Sequence, residues 1–170
     1  RNFSRIDEAQ LKKVDLHEGI QNTLKLLTSE LKNRVKVHED YGKLPPVRCY
    51  VSQLNQVFMN IISNAAQAIE KQGDIWISTW SEKGFAFVSI KDNGPGIPQE
   101  MLDKIFDPFF TTKPIGRGTG LGLSISYGIV QKHQGEIQVK SKKDKGTEFI
   151  VKVPIEGPTD EKSEGSEKKS

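Results

Sequence analysis

The stretch VSQLNQVFMNIISNAAQAIEK, residues 51–71, decides how the rest of the chain is interpreted. Its apolar residues recur at helical spacing and share one broad face, which predicts a long amphipathic helix that ends at Gly73. A solvated helix face normally carries Lys and Glu, and Asn is a weak helix former. A carboxamide oxygen suits Mg²⁺ that already carries phosphate oxygens, although a surface that is rich in amides by chance explains the pattern equally well. The polar stripe beside the apolar face consists almost entirely of amides, namely Gln53, Gln56, Asn60, Asn64 and Gln67, followed by Lys71.

The segments on both sides of this helix have the patterns of a mixed α and β domain. Asp15 and Glu18 have the spacing of a capping box at the start of a helix. The sequence predicts an α+β fold, a two-layer sandwich in which a mixed, mostly antiparallel sheet of about five strands carries three main helices on one face. Periodicity indicates further helices at 15–32, 99–106 and 121–133, and strands at 35–41, 75–80, 85–91, 136–141 and 147–153.

The two ends of the chain are expected to lie outside this domain. We interpret residues 1–14 as the end of a preceding helix and a connector, and residues 15–155 as the domain itself. Residues 156–170 have no core-forming side chain and predict a disordered tail. Because the chain starts at Arg1 rather than at a methionine, we expect a fragment of a longer protein.

Composition excludes several classes of protein. The chain has 170 residues, of which 35% are hydrophobic and 28% charged, as in a globular domain. The net charge of +3 is too small to indicate nucleic acid as a partner. Cys49 is the one cysteine, so no internal disulfide is possible, and we expect it to be buried. No apolar run approaches the ~20 residues of a membrane span.

The segment DNGPGIP, residues 92–98, directly follows a predicted strand. Asp92 then stands at a strand end, where a buried carboxylate can accept a hydrogen bond from an amino group. Gly94 and Gly96 would let the backbone approach a flat ligand, because no Cβ intervenes. An ordinary tight turn explains the same residues, since Asn-Gly and Pro-Gly are turn dipeptides.

The segment GRGTGLGLS, residues 116–124, is rich in glycine and runs into a predicted helix. Backbone N–H groups at a helix start can form an anion site. The segment is not a Walker A loop, because no Gly-Lys-Ser/Thr follows, and Leu123 breaks the dinucleotide-binding pattern. A flexible loop is the alternative, although a long loop inside a compact domain is usually functional.

Together these segments resemble the histidine kinase branch of the ATP-binding superfamily that also contains DNA gyrase B, Hsp90 and MutL. The resemblance covers about residues 15–155, and it implies a Bergerat-type fold and the catalytic ATP-binding domain of a two-component sensor histidine kinase. Gln67 stands where many histidine kinases have Lys, and NAAQA is similar to the nitrogen-regulation type of sensor kinase. The matching motifs are an N box (56–70), a G1 box (92–98), an F box (IFDPFFTTK, 105–113), a G2 box (116–124) and a last strand (146–154).

The resemblance implies a role for each matching residue at the metal and the adenine. Asn64 is implied as the Mg²⁺ ligand, with Asn60 assisting near the phosphates of ATP. Asp92 would accept from the adenine amino group. The remaining residues implied around the adenine are Gly94, Gly96, Ile97 and, in a water network with Asp92, Thr147.

A second implied group holds the phosphates of ATP. Lys113 and Arg117 are cations of a glycine-rich lid, and Lys113 is implied as catalytic together with Asn60 and Asn64. Phe106, Phe109 and Phe110 either anchor this lid or are plain core aromatics. The backbone implied around the phosphates comes from Gly118, Thr119, Gly120, Leu121, Gly122 and Leu123.

Asn60 favours a kinase over an ATPase. In the gyrase, Hsp90 and MutL branches the residue one turn before the magnesium ligand is a Glu that activates water. Asn cannot act as a general base, so water would be a poor nucleophile in this site. The γ-phosphoryl group would then be kept for another acceptor.

The resemblance implies that this acceptor is a histidine on a separate helical-hairpin domain, with relay to the receiver domain of a response regulator. The three histidines of the chain do not fit that role. His17 is expected to be an exposed helix residue, His38 to lie on a strand, and His133 to lie at a helix C-terminus where positive charge is favourable. The whole protein would be a homodimer, this fragment a monomer, and the domain cytoplasmic.

Two alternatives to a histidine kinase remain open from the sequence. One is an ATPase or a serine/threonine kinase of the same superfamily. The other is a regulatory module that binds ATP without catalysis.

Overall fold

The structure is a computed structural model that describes residues 10–110 and 121–159. The helices in these ranges are α1 (Leu16–Leu26), α2 (Thr28–Leu31), α3 (Val51–Ala68) and α4 (Gly122–Lys132), with a 3₁₀ helix at Gln99–Lys104. The strands are β1 (Lys12–Val14), β2 (Val35–Tyr41), β3 (Val47–Cys49), β4 (Gly73–Glu82), β5 (Phe85–Asp92), β6 (Glu136–Ser141) and β7 (Thr147–Pro154).

Five of these strands form one mixed sheet. Its strand order is β2-β4-β5-β7-β6, with β2 and β4 parallel and every other neighbouring pair antiparallel. The helices pack on one face of the sheet, so the predicted two-layer α+β sandwich is confirmed. β1 and β3 form a separate antiparallel pair.

The core lies between the sheet and the apolar face of α3. Along β4, Ile75 and Ile77 are buried, whereas Trp76 between them is exposed on the opposite face. Fully burying side chains of this size stabilises the fold by about 1.5–3 kcal/mol each. From α3 the core receives Leu54, Val57, Phe58, Ile61, Ile62, Ala65 and Ala66.

Helix α3 ends at Ala68, earlier than the sequence predicts, and Gly73 begins a strand. The last carbonyl groups of a helix lack partners within it. Here the guanidinium of Arg34 donates to the carbonyl oxygens of Ala66, at 3.0 Å, and of Ile69. Ile69 adopts an extended backbone and is buried, so the chain turns into the core and Lys71 lies beyond the amide stripe.

Both ends of the domain extend further than predicted. Residues 12–14, expected in a helix end and connector, form β1, which pairs with β3 from Lys12 opposite Cys49 to Val14 opposite Val47. At the other end, Thr159 donates its N–H to Oε1 of Gln134 at 2.9 Å and accepts from Nε2 at 3.1 Å. A disordered tail is therefore wrong for 156–159, because Gln134 holds this backbone; residues 1–9 and 160–170 lie outside the described part.

The environments of two histidines differ from the prediction. His17 is partly buried rather than exposed, because Nε2 lies 2.7 Å from Oγ1 of Thr79 and the ring stacks on Tyr41. His133 is 1% exposed, and burial lowers its pKa. A positive charge on His133 is thus disfavoured, contrary to the expectation from its place at a helix C-terminus. His38 lies on β2, as predicted.

We predict that the free energy of unfolding decreases in mild acid because of His133. Its Nδ1 lies 2.9 Å from the carbonyl oxygen of Ile129 and must donate, so Nε2 carries no proton and accepts from the N–H of Tyr50 at 3.1 Å. An unfolded histidine titrates near 6.5. The pKa of His133 is lower in the folded state. As the pH falls below about 6.5, the unfolded state therefore binds a proton that the folded state does not bind, and the free energy of unfolding decreases. Above that pH, His133 adds no pH dependence.

The expected slope is at most about 1.4 kcal/mol per pH unit in the free energy of unfolding. Urea unfolding between pH 7.5 and 5 measures it, with His133→Gln as the matched variant because its amide can donate and accept without titrating. Identical pH profiles in the two proteins would contradict the prediction, since the other ionisable groups are shared.

Two expectations from composition can be compared with the structure. Cys49 is a buried free thiol, as predicted, and burial raises its pKa to about 11. Among residues 10–110 and 121–159, no helix is both long enough and apolar enough to cross a membrane.

Candidate functional site

Asp92 is a buried carboxylate at the last position of β5. It lies opposite Ile75 on one side and Thr147 on the other, and it is 3% exposed. Oδ1 accepts the backbone N–H of Gly94 at 2.8 Å. Burial raises the pKa of Asp92, whereas hydrogen bonds from the backbone of Gly94 and Thr147 lower it. The sheet thus presents an oriented carboxylate at the start of the predicted adenine turn.

Asn93 fixes this turn to the neighbouring strand β4. Its Oδ1 accepts the N–H of Asp74 at 2.8 Å, and its Nδ2 donates to Oδ2 of Asp74 at 3.1 Å. Nε2 of His38 lies 2.8 Å from the other oxygen of Asp74, so β2 joins the same chain of contacts. A Cβ on Gly73 would lie 2.7 Å from Oδ1 of Asn93, so the approach needs a glycine there. Sequence reasoning missed Asn93 and Asp74, because each alone is an ordinary turn or strand-end residue.

The β6–β7 hairpin holds the other side of the turn. Gly96 has a φ of +77°, and a Cβ there would lie 2.0 Å from the carbonyl oxygen of Lys142, so only glycine fits. The N–H of Ile97 donates to Oγ of Ser141 at 2.7 Å.

Ser141 is a second contact that the sequence analysis missed. Its hydroxyl donates to the carbonyl oxygen of Gly146 at 2.9 Å, so the Thr147 hydroxyl, 2.8 Å away, must be the donor between the two side chains. The predicted residues Gly96, Ile97 and Thr147 are therefore brought together with Asp92 through a serine on β6. A serine at a strand end is common, so the sequence alone gave no indication that Ser141 makes this contact.

Asn60 lies at the other end of the candidate site, against the first turn of α4. Its Nδ2 donates to the carbonyl oxygen of Gly122 and to Oγ of Ser126, both at 3.1 Å. Leu121 is the N-cap position of α4, and Leu123 packs against the core. The structure thus brings Asn60 together with the described part of the predicted phosphate-binding segment.

Asn64 lies between these two ends on α3. At 1.5 Å per residue, it is about 6 Å along the helix from Asn60 and about 6 Å from Ala68. The carbonyl oxygen of Ala68 would lie 3.2 Å from a Cβ on Gly94, so the C-terminal end of α3 reaches the adenine turn. The amide stripe therefore connects the Asp92 turn with the start of α4, which suits an elongated ligand. Gln67, one turn after Ser63, donates to its hydroxyl at 3.2 Å.

The structure describes only part of the predicted lid. Phe106 packs near Tyr127 and Phe149, and Phe110 is partly buried against the core. Phe109 is 72% exposed, so it is not a core aromatic. Five predicted site residues lie outside the described ranges, namely Lys113, Arg117, Gly118, Thr119 and Gly120.

Comparison with known proteins gives a consistent result. Residues 49–157 match the family model described as histidine kinase-, DNA gyrase B-, and HSP90-like ATPase. The histidine-protein kinase AtoS of Escherichia coli K12 is 42% identical over 156 residues, which are 90% of this chain and 25% of AtoS. Sporulation kinase E of Bacillus subtilis is 36% identical over 84% of this chain and 20% of its own length. The chain thus spans about a fifth to a quarter of these curated relatives.

Solved structures agree with these sequence matches. The nucleotide-free catalytic domain of histidine kinase ThkA superposes with a TM-score of 0.78 at 31% identity, over 86% of this chain and 97% of that domain. ThkA in complex with the response regulator TrrA superposes with a TM-score of 0.74 at 28% identity, over 85% of this chain and 42% of that one.

Proposed function

The chain belongs to the histidine kinase-, DNA gyrase B- and HSP90-like ATPase family, as the ATP-binding catalytic domain of a sensor histidine kinase, and we propose that its whole protein phosphorylates itself on a histidine. The γ-phosphoryl group of ATP would pass to a histidine of a separate helical-hairpin domain, and then to a response regulator. The solved complex of ThkA with its response regulator supports the second step by similarity.

The observation that carries this proposal is the position of the α3 amide stripe, which runs from the turn at Asp92 to the first turn of α4. At one end stands the buried carboxylate of Asp92. Adenine presents an amino group where guanine presents a carbonyl oxygen, so an ionised carboxylate accepts from adenine and repels guanine. The adenine end therefore favours ATP over GTP.

The donors near the phosphate end fit a magnesium ion that arrives with its nucleotide. Among residues 10–110 and 121–159, no group of three His, Cys, Asp or Glu side chains could hold a metal. Mg²⁺ commonly takes one or two protein oxygens and completes its shell with substrate phosphates and water. Asn64 would supply the protein oxygen, and bound Mg²⁺ would neutralise phosphate charge. The start of α4, at Leu121–Leu123, would donate N–H groups to phosphate.

The chemistry of Asn60 supports transfer to a protein acceptor rather than to water. Its nitrogen is engaged with Gly122 and Ser126, and an amide has no basic atom to remove a proton from water. Phosphoryl transfer depends mostly on positioning and charge neutralisation, which amides and N–H groups can provide. In this proposal Lys113 and Arg117 would contact the phosphates as cations. The backbone of Gly118, Thr119 and Gly120 would surround the phosphates.

We propose the exposed side of α4 as the surface that meets the protein partner. Ile125 and Tyr127 of α4 are exposed, as is Phe109. The helical hairpin would dock here in a homodimeric whole protein, while this chain alone would be a monomer and would act in the cytoplasm. The nitrogen-regulation subtype remains a prediction.

Phosphate transfer between separate fragments tests the function. This chain, a separately made helical hairpin of the same protein and labelled ATP should give acid-labile, alkali-stable phosphate on the hairpin. A hairpin whose histidine is replaced by Gln is the control and should remain unlabelled. Alkali-labile product would indicate a serine/threonine kinase, release of inorganic phosphate alone an ATPase, and tight ATP binding without transfer a regulatory module.

A further inference from the structure

Ser126 is a buried hydroxyl that the proposed function leaves without a role. It lies in the second turn of α4 and is 0% exposed. Its Oγ donates to the carbonyl oxygen of Gly122 at 2.9 Å and accepts from Nδ2 of Asn60 at 3.1 Å. A hydroxyl has a single hydrogen, and here the Gly122 carbonyl takes it. Ser126 can therefore offer Asn60 only a lone pair.

This arrangement determines which way the Asn60 amide faces. An asparagine side chain can present either its nitrogen or its oxygen to a neighbour. Both groups that α4 presents, the Gly122 carbonyl oxygen and the Ser126 hydroxyl, accept hydrogen bonds from Nδ2 at 3.1 Å. An oxygen in that place would face two acceptors. The nitrogen therefore points to α4, and the carbonyl oxygen occupies the other edge of the planar amide.

We propose that Ser126 is a positioning residue that acts through Asn60. By holding the amide nitrogen on α4, it directs the Asn60 carbonyl oxygen toward the Mg²⁺ ion that the phosphates of ATP would carry. This inference rests on the proposed function, since it deepens the role of the same site. Thr23 of α1 has a buried hydroxyl that likewise donates to the carbonyl oxygen four residues earlier, Gly19, at 2.9 Å, and it is a matched control away from the site.

Loss of the Ser126 hydroxyl should weaken the preference for this amide orientation. In Ser126→Ala the Asn60 nitrogen loses one of its two acceptors, whereas the Gly122 carbonyl oxygen remains. We expect affinity for Mg²⁺-ATP to fall about 3- to 10-fold, the scale of one hydrogen bond. ATP affinity in EDTA should not change, because the adenine end is intact.

Calorimetric titration of this chain with ATP, in Mg²⁺ and in EDTA, measures both affinities. Thr23→Ala should match the wild type in both conditions. In an Asn60→Ala background, Ser126→Ala should have no further effect on Mg²⁺-ATP affinity, because the residue through which it acts is gone. An equal loss with and without Mg²⁺ would indicate packing of α4 and would overturn the inference, as would an unchanged Mg²⁺-ATP affinity.

Two further results separate the inference from the function on which it rests. A wild-type chain that binds no nucleotide would overturn both, whereas Mg²⁺-dependent binding with an unaffected Ser126→Ala variant would overturn the inference alone. NMR of the nucleotide-free wild type does not depend on how a variant folds. The Asn60 side-chain amide hydrogen that faces α4 should exchange slowly with solvent; rapid exchange would overturn the inference.

Discussion

Asn64→Ala is expected to lower the affinity of this domain for Mg²⁺-ATP by about 100-fold or more. Loss of an outer-shell contact alone typically lowers metal affinity 10- to 100-fold, and Asn64 is proposed as the metal ligand itself. It lies midway along the amide stripe, one turn from Asn60, where phosphate oxygens and a carboxamide oxygen can share one ion. ATP affinity in EDTA should change little, because adenine contacts lie elsewhere.

Titration of ATP with and without Mg²⁺ separates the two contributions. Asn55→Ala is the matched control, since it removes the same side chain from the same helix on a different face, where Asn55 approaches Gly19 of α1. The control should retain Mg²⁺-dependent affinity. Unchanged Mg²⁺-ATP binding by Asn64→Ala would show that the metal ligand is another residue.

Asp92→Asn is expected to weaken ATP binding by about 1–3 kcal/mol, or roughly 5- to 150-fold. The oxygen of an amide can still accept the N–H of Gly94, so the turn should persist. The nitrogen that replaces the second oxygen cannot accept from the adenine amino group, and the negative charge is lost. The effect should therefore appear in affinity for the base rather than in the stability of the fold.

Discrimination between nucleotides provides the check. The wild type should prefer ATP to GTP, and Asp92→Asn should narrow that preference, whereas Asp103→Asn, an exposed carboxylate on the 3₁₀ helix, should leave it unaltered. Because burial raises the pKa of Asp92, wild-type ATP affinity should also fall on acidification before an exposed aspartate would titrate. Equal affinities of the wild type for ATP and GTP would contradict the role proposed for Asp92 in adenine recognition.

Local patterns were sufficient for the layout of the fold. The spacing of apolar residues predicted α1, α3 and α4 and all five strands of the main sheet. A helix or strand that buries one face repeats apolar residues at a short, fixed interval, which the sequence shows directly. The boundaries were less predictable. Helix α3 stops at Ala68, and Arg34, which lies on a different segment, donates to the carbonyl oxygens of Ala66 and Ile69 at this end.

The candidate site shows the same division. The residue types of Asn60, Asn64 and Asp92, and the glycine spacing of the turn, predicted from the sequence a set of nucleotide-binding groups, and the structure places them along one helix and the neighbouring turn. The sequence did not indicate what holds these groups. Ser141 and Asn93 hold the turn at 92–98, and Ser126 contacts the Asn60 amide, through partners on strands and helices distant in the chain.

The sequence by itself thus determined the family, the order of its elements and the side chains available for nucleotide chemistry, because these depend on residue types at short spacing. Tertiary structure alone decided the neutral state of His133, the ordered backbone at 156–159 and the direction of the Asn60 amide. Each of these depends on a hydrogen bond to a residue far away in the sequence, or on burial by such residues. Such a partner is brought close only when the helices pack on the sheet.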